Sequence, residues 1–437
     1  MSSAIASILQ PLLNGNDEFY SLENAPSLWQ QRVKGAIDSS SSTKEQYLVS
    51  PRSLDTLSET VKQAHQRQWQ LLPCGNGSKL NWGGLVKDVQ LVVSTQNLDR
   101  IIEHAVGDLT VTVEAGVKLA DLQQVLAKTN QFLPLDPTYP EEATMGGIVA
   151  TADAGSWRQR YGGVRDMLLG VSFVRADGEI AKAGGRVVKN VAGYDLMKLL
   201  TGSYGTLAII SSLTFRVYPI PETSRTVIIT GDSNSIASIA NTLRNSSLTP
   251  TAADLISRSL VKNLGLGDGI GLIVRFQSIA ESVRQQAEQL QAIAQQFGLS
   301  TISYESADET NLWQRVLEEI GLTTPSSASS SSLLCKIGVM PNAAVEMLDR
   351  GLGLINISTG LGKLRLDSED ALDRVGELRS LAEKNRGFLT ILEAPIALKQ
   401  QFEPWGYAGN ALDLMHKIKQ NFDPNRLLSR DRFVDDI

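Results

Sequence analysis

Three stretches set glycines beside hydroxyl or basic side chains at spacings suited to a phosphorylated ligand: PCGNGSK at 73–79, ATMGGIVA at 143–150 and RVVKNVAGYDLMKLLTGSYGTLAI at 186–209. In the first, the apolar run QLL leads into Gly75, Asn76, Gly77, Ser78 and Lys79, where small residues let successive backbone amides curl around an anion. It is not a Walker A loop, because the GxxxxGK[ST] spacing is absent, and the third glycine of GxGxxG is missing at its offset. In the second, Thr144, Gly146 and Gly147 precede a helix-compatible run and suit amides presented to phosphate; the competing reading is a helix start packed tightly on a strand. In the third, Gly193 and Gly205 flank a short helix marked by Leu196, Leu199 and Leu200, after which residues 208–210 resume a buried strand.

Lys79, Arg158, Arg160, Arg165, Arg186 and Lys189 add local positive charge to these stretches although the chain carries a net charge of −6. That acidic balance gives no reason to expect nucleic acid as a partner. Cys74 and Cys335 are too few and too far apart in sequence for a disulfide framework, a cysteine zinc site or an iron–sulfur cluster. His65, His104 and His416 are scattered without metal-ligand spacing, so no metal site is expected and all three are read as structural.

The elements that must position these residues are those of a turn-rich α/β protein, since 42% of the residues are hydrophobic, 20% are charged and 36 are glycine. With 437 residues there is room for two or three domains. Residues 1–45 read as an N-terminal extension ending in the serine run 39–42, and residues 46–220 as the first compact domain. There LDTLSETVKQAHQRQ has helical periodicity, VQLVVST reads as a strand, and LDRIIEHA, LTVTVEAG and LADLQQVLAKT continue a helix and strand alternation. A hairpin is expected to turn at Asp177 and Gly178. Residues 221–437 form a second alternating domain that ends in the helix DLMHKIKQNF, with a serine-rich loop at 326–332. Duplication of a small α+β unit is conceivable there, although no sequence repeat is visible. The chain start lacks a basic n-region, and no apolar run reaches the roughly 18 residues of a spanning helix, so no transmembrane segment and a cytoplasmic location are expected.

Taken in order, PCGNGSKL, ATMGGIVA and KNVAGYDLMKLLTGSYGTL resemble the FAD-binding domain of the vanillyl-alcohol oxidase and p-cresol methylhydroxylase (PCMH-type) superfamily. Within it, VVKNVAGYDLMKLLTGSYGTL and the tail LDLMHKIKQNFDPNRLLSRDRF are similar to a family of FAD-binding subunits of glycolate oxidase (glycolate dehydrogenase), and the likeness runs from about Gln46 to the C-terminus. This resemblance implies an α+β fold, a PCMH-type FAD-binding domain followed by an α+β cap domain of the FAD-linked oxidase C-terminal type. It implies that Gly75, Asn76, Gly77, Ser78 and Lys79 meet the FAD pyrophosphate, and that Thr144, Gly146 and Gly147 meet its phosphate and ribityl portion. Gly205, Thr206, Leu207 and Ile209 would line the adenine side, and Asp136 and Pro137 would border the flavin ring. Flavinylated relatives often carry a histidine in the first glycine loop, whereas Ser78 stands at about that place here, so FAD is expected to be noncovalent.

The implied function is that of a flavin subunit in a complex oxidising glycolate, a small 2-hydroxy acid, beside a second flavin subunit and an iron–sulfur subunit, through which a membrane would be met peripherally. A histidine-containing metal motif carried by related D-2-hydroxyacid dehydrogenases is missing here. Two alternatives stay open. The chain oxidises a 2-hydroxy acid alone, clamping its carboxylate with Arg275, Lys336 or Arg365, or it is a structural subunit that keeps the fold without flavin.

Overall fold

The computed structural model describes residues 4–13, 17–38, 45–185, 194–325, 332–367 and 371–437, with side chains 371 and 372 left aside. Arg186, Lys189 and Gly193, and the serine stretches 39–42 and 326–331, lie outside the described residues.

A four-stranded sheet opens the fold. Tyr47–Ser50, Val89–Ser94 and Gln70–Cys74 run parallel, and Glu18–Ser21 adds an antiparallel edge. The crossover between the first two parallel strands in sequence is the helix Leu54–Arg67, whose Leu57, Val61 and Ala64 face the core at helical spacing. The Ser53 hydroxyl caps it by accepting from the Thr56 amide at 3.1 Å. Residues ahead of the first parallel strand thus complete this sheet, and the helix Ser27–Lys34 buries Trp29 and Val33 beneath it.

An antiparallel five-stranded sheet follows, in the order Ile101–Ala105, Thr110–Glu114, Ile209–Arg216, Leu168–Val174, Ile180–Gly184. The expected hairpin turns at Gly178, which has φ +89°, a value glycine accepts without strain. LDRIIEHA departs from the helix and strand alternation: Ile101–Ala105 is a strand, paired antiparallel with Thr110–Glu114 through a single 3-10 turn, Val106–Asp108.

The last sheet has eight antiparallel strands, and its two halves repeat one strand order. It runs Thr301–Glu305, Thr223–Gly231, Ile270–Ser278, Ala252–Ile256, then Leu352–Asn356, Leu361–Asp367, Ser332–Gly338, Phe388–Glu393. Each half places its own strands in the order fourth, first, third, second, and the halves meet through their second strands, with Asp254 opposite Asn356 and Ile256 opposite Leu354. One face is covered by the helices Ser233–Arg244, Ala280–Gln296 and Ala371–Lys384. The other contributes Ile228, Ile256, Ile273, Leu334, Leu354 and Leu392 to a core shared with Trp82, Tyr139 and Tyr204 of the earlier part of the chain.

The chain then returns to its beginning. After the helix Leu412–Phe422, Leu427 and Ser429 exchange backbone hydrogen bonds with Leu71 at 2.7 and 2.8 Å, extending the first sheet. Among the described residues no helix is long and apolar enough to cross a membrane.

Candidate functional site

Two of the three glycine stretches, and the far end of the third, converge on the walls of one cavity. Gly75, Asn76, Gly77, Ser78 and Lys79 line one side, Thr144, Gly146 and Gly147 another, and Gly205 and Ile209 a third. Thr206 and Leu207 are placed behind that third wall rather than in it: the Thr206 carbonyl accepts from Lys419 Nζ at 2.8 Å, and Leu207 packs into the core.

The glycines differ in their work. Gly77 has φ +77°, and a Cβ on Gly75 would stand 2.0 Å from Thr144 Oγ1, so the first loop is glycine-bound by conformation and by contact with the second stretch. Gly146 fits the competing structural reading, since a Cβ there would meet Ala115 Cβ at 2.8 Å. Gly147 is different: its Cβ would meet only Thr144 Oγ1, at 3.1 Å, and otherwise point into open space.

Arg432 is a member of this site that its place in the tail gives no means of finding. Buried in the cavity wall, it donates to the carbonyls of Lys79, Leu80 and Trp82 and so pins the first glycine loop, while burial pulls its guanidinium down to about 10. Replacing it with methionine strands buried carbonyls, and the urea midpoint should fall by the equivalent of about 3 kcal/mol, with weaker retention of whatever fills the cavity. Equilibrium unfolding checks this result; an unchanged midpoint contradicts it.

A second cavity abuts the first through shared walls at Thr151 and Tyr204. Asp136 and Pro137 border it as expected. Burial pushes the Asp136 carboxyl up to about 6 against the amides of Ser156 and Trp157, which donate to it. In its wall the buried Asp153 carboxylate receives Lys79 Nζ and Lys363 Nζ, each at 2.7 Å, joining the first glycine loop to the last sheet. Burial raises this carboxyl, but Lys363 and Lys79 together pull it further down, well below the usual carboxylate range. Tyr139 and Trp82 both donate to Glu393, a second polar tie between the same two regions.

The three candidate carboxylate clamps separate sharply. Arg275 is ion-paired to Glu309 at 3.0 Å and also reaches Ser224. Arg365 caps the helix Ser306–Ile320 by donating to the Ile320 and Gly321 carbonyls and to Ser332. Neither lines either of the two cavities, and other parts of the fold engage both guanidinium groups. Lys336 does line the inner cavity, directly opposite Lys363 on the neighbouring strand, and burial lowers its ammonium to about 8. Arg158 lines the same space, whereas Arg160 and Arg165 are exposed.

His65, His104 and His416 lie outside both cavities, bonded to Asn425, Gln131 and Asp435. Among the described residues no group of three or more His, Cys, Asp or Glu side chains is arranged to hold a metal ion.

Residues 46–184 match the family model of an FAD binding domain. The chain is 32% identical over 181 residues to the glycolate oxidase subunit GlcD of Bacillus subtilis, covering 41% of this chain and 38% of that protein. It is 37% identical over 169 residues to the glycolate oxidase subunit GlcE of Escherichia coli, covering 38% and 48%. The matches thus span less than half the length of these two curated relatives. The solved structure of p-cresol methylhydroxylase with substrate bound superposes with a TM-score of 0.74 over 98% of this chain and 96% of that one at 15% identity, so the mixed α+β fold is shared over nearly the whole chain.

Proposed function

We propose that this chain is an FAD-dependent oxidoreductase of 2-hydroxy acids and serves as a flavin subunit of a glycolate-oxidising complex. The observation that carries this reading is the pair of abutting cavities, which leads from glycine loops to a cation-bearing sheet face. The residues fit the cofactor: Gly147 leaves room where a side chain would stand, and Gly75 to Lys79 offer amides for a pyrophosphate. When bound, FAD supplies a ring that accepts a hydride and passes electrons on. In this reading residues 75–79, Thr144 and Gly147 hold its phosphates, Asp136 and Pro137 border the ring, and Trp82, Tyr204 and Leu354 exclude water from the reacting end.

FAD would be held noncovalently, as the lack of histidine in both cavity walls supports. The proposed partners are a second flavin subunit and an iron–sulfur subunit; matches to relatives named as two different glycolate oxidase subunits support an assembly of more than one chain, and two distant cysteines are too few for this chain to hold a cluster itself. A second reading, oxidation by this chain alone, is favoured by Lys336 in the inner cavity.

The purified chain is expected to be yellow, with all of its flavin released by acid precipitation. A pellet that keeps the colour would contradict noncovalent binding, and a chain that stays colourless after reconstitution with excess FAD would contradict the flavin reading itself. Bleaching by glycolate or D-lactate without air is the outcome expected of oxidation by this chain alone.

A further inference from the structure

A run of touching rings leads out of the two cavities. Tyr204 stands in the wall they share, and its ring meets that of Trp405 edge-on with centroids 4.8 Å apart. Trp405 meets Phe433 at 4.6 Å, and Phe433 closes the triangle with Tyr204 at 6.0 Å. Tyr204 is buried, whereas Trp405 and Phe433 are partly exposed and line a surface cleft that shares no residue with either cavity. The Trp405 ring is fixed in place: its Nε1 donates to the Arg432 carbonyl at 3.1 Å, and its edge lies so near Gly83 that a Cβ there would stand 2.8 Å from Cζ2.

The cleft is acidic. Asp38, Glu403, Asp431, Asp435 and Asp436 line it against Lys87 and Lys399. Lys87 is engaged by Asp431 at 3.1 Å, and Lys399 is buried, donates to the Asn81 carbonyl and is drawn down by burial to about 7. Arg426 and Arg430 also reach Asp431. Glu403, Asp435 and Asp436 stay exposed around the two rings, and among the described residues only His416, on Asp435, pairs with any of the three. Charge alone would make this one acidic face among others. The rings tie it to the cavities, and its sign matches a partner of opposite charge.

We propose that this cleft docks a one-electron carrier protein with a lysine-rich face, which draws electrons from the cavities through Tyr204, Trp405 and Phe433. The inference rests on the flavin reading and adds to it the surface by which electrons leave the chain. The hydride taken from each 2-hydroxy acid carries two electrons and a proton; two one-electron centres of the carrier are each reduced by one electron, and the proton goes to water.

Oxidised cytochrome c, a basic haem protein, is the probe. Titrated calorimetrically into the full oxidised chain it undergoes no reaction and reads docking alone. Asp435→Asn combined with Asp436→Asn, in which asparagine suits the left-handed backbone at φ +52° and +59°, should weaken binding about 10-fold. Glu281→Gln combined with Glu288→Gln removes the same charge from the helix Ala280–Gln296 and should leave binding within about twofold at ~0.1 M salt, where charges act over ~10 Å. Trp405→Leu should bind cytochrome c as the wild type does. It should also lose most of the haem reduction seen when the chain, brought just to full reduction with dithionite, is mixed with the probe without air, because a shorter aliphatic side chain opens a gap in the path. Trp405→Phe, which keeps a ring, should regain that reduction, and Phe433→Leu is read in place of Trp405→Leu if the latter does not fold. A wild type that does not bind, equal weakening by the two charge pairs, or haem reduction unchanged in Trp405→Leu and Phe433→Leu overturns the proposal. A colourless wild type defeats the flavin reading separately; the calorimetric titrations need no flavin and still decide the surface.

Discussion

Replacing Gly147 with leucine is expected to give a folded but colourless protein. The position is half-buried at the start of the helix Met145–Thr151, and its amide already donates to Thr144 Oγ1 at 3.3 Å, a backbone bond that any side chain leaves in place. A Cβ there touches only that hydroxyl, so the added side chain extends into the cavity and not into the core. Leucine also removes the helix penalty of glycine, about 1 kcal/mol, which favours retention of the fold. Overfilling a packed site by several methylenes costs about 1–3 kcal/mol, so FAD affinity should fall up to about 100-fold. Flavin absorbance against far-ultraviolet dichroism separates the two effects. Gly146→Leu is the contrast: it drives into Ala115 and should lower the unfolding midpoint itself. Full flavin content in Gly147→Leu would remove this wall from the proposed cofactor site.

Asp153→Asn should be the most damaging change in the inner cavity. One carboxylate, buried to 4% exposure, balances Lys79 and Lys363, which come from a glycine loop and from a strand of the last sheet. Removing the partner of buried charges costs about 3–5 kcal/mol, because both ammonium groups stay desolvated without their counter-charge. Lys79 is the more exposed to this loss, since burial already draws its ammonium down and Asp153 is what opposes that. The penalty has a pH signature. Asp153 is held below its ordinary value in the folded chain, so between the two values the unfolded chain binds more protons and stability rises with pH. Its contribution is fully present above about pH 4, the ordinary aspartate value, and drains away as pH falls toward the depressed folded value. Urea midpoints of wild type and Asp153→Asn should therefore differ most at neutral pH and converge below about pH 4. A gap that stays constant down to pH 3 would mean that the carboxylate charge is not what matters.

These expectations draw on features of unequal legibility in the sequence. Gly75, Gly77 and Gly147 could be singled out because glycine beside a strand end or a helix start has a local meaning, and the fold gathers them on one cavity. The hairpin at Gly178 and the helix Leu54–Arg67 are local for the same reason, one set by a turn and the other by periodicity. Arg275, Lys336 and Arg365 look alike in sequence, each a lone cation on a strand. Glu309 claims the first and the end of the helix Ser306–Ile320 claims the third, which leaves Lys336 facing the cavity.

The sequence by itself determined the phosphate-suited loops, the alternation of elements and the shortage of metal ligands, since each follows from residue type and short spacing. Only the tertiary structure decided the charges. Asp153 meets Lys363 across 210 positions, Tyr139 meets Glu393 across 254, and Arg432 returns from the tail to hold carbonyls some 350 residues earlier. The doubled strand order of the last sheet also appears only in three dimensions, because strand pairing depends on backbone and pattern while the two halves keep different side chains for different neighbours. A cation's role depends on which partner the fold brings within about 3 Å, and no spacing along the chain records that distance.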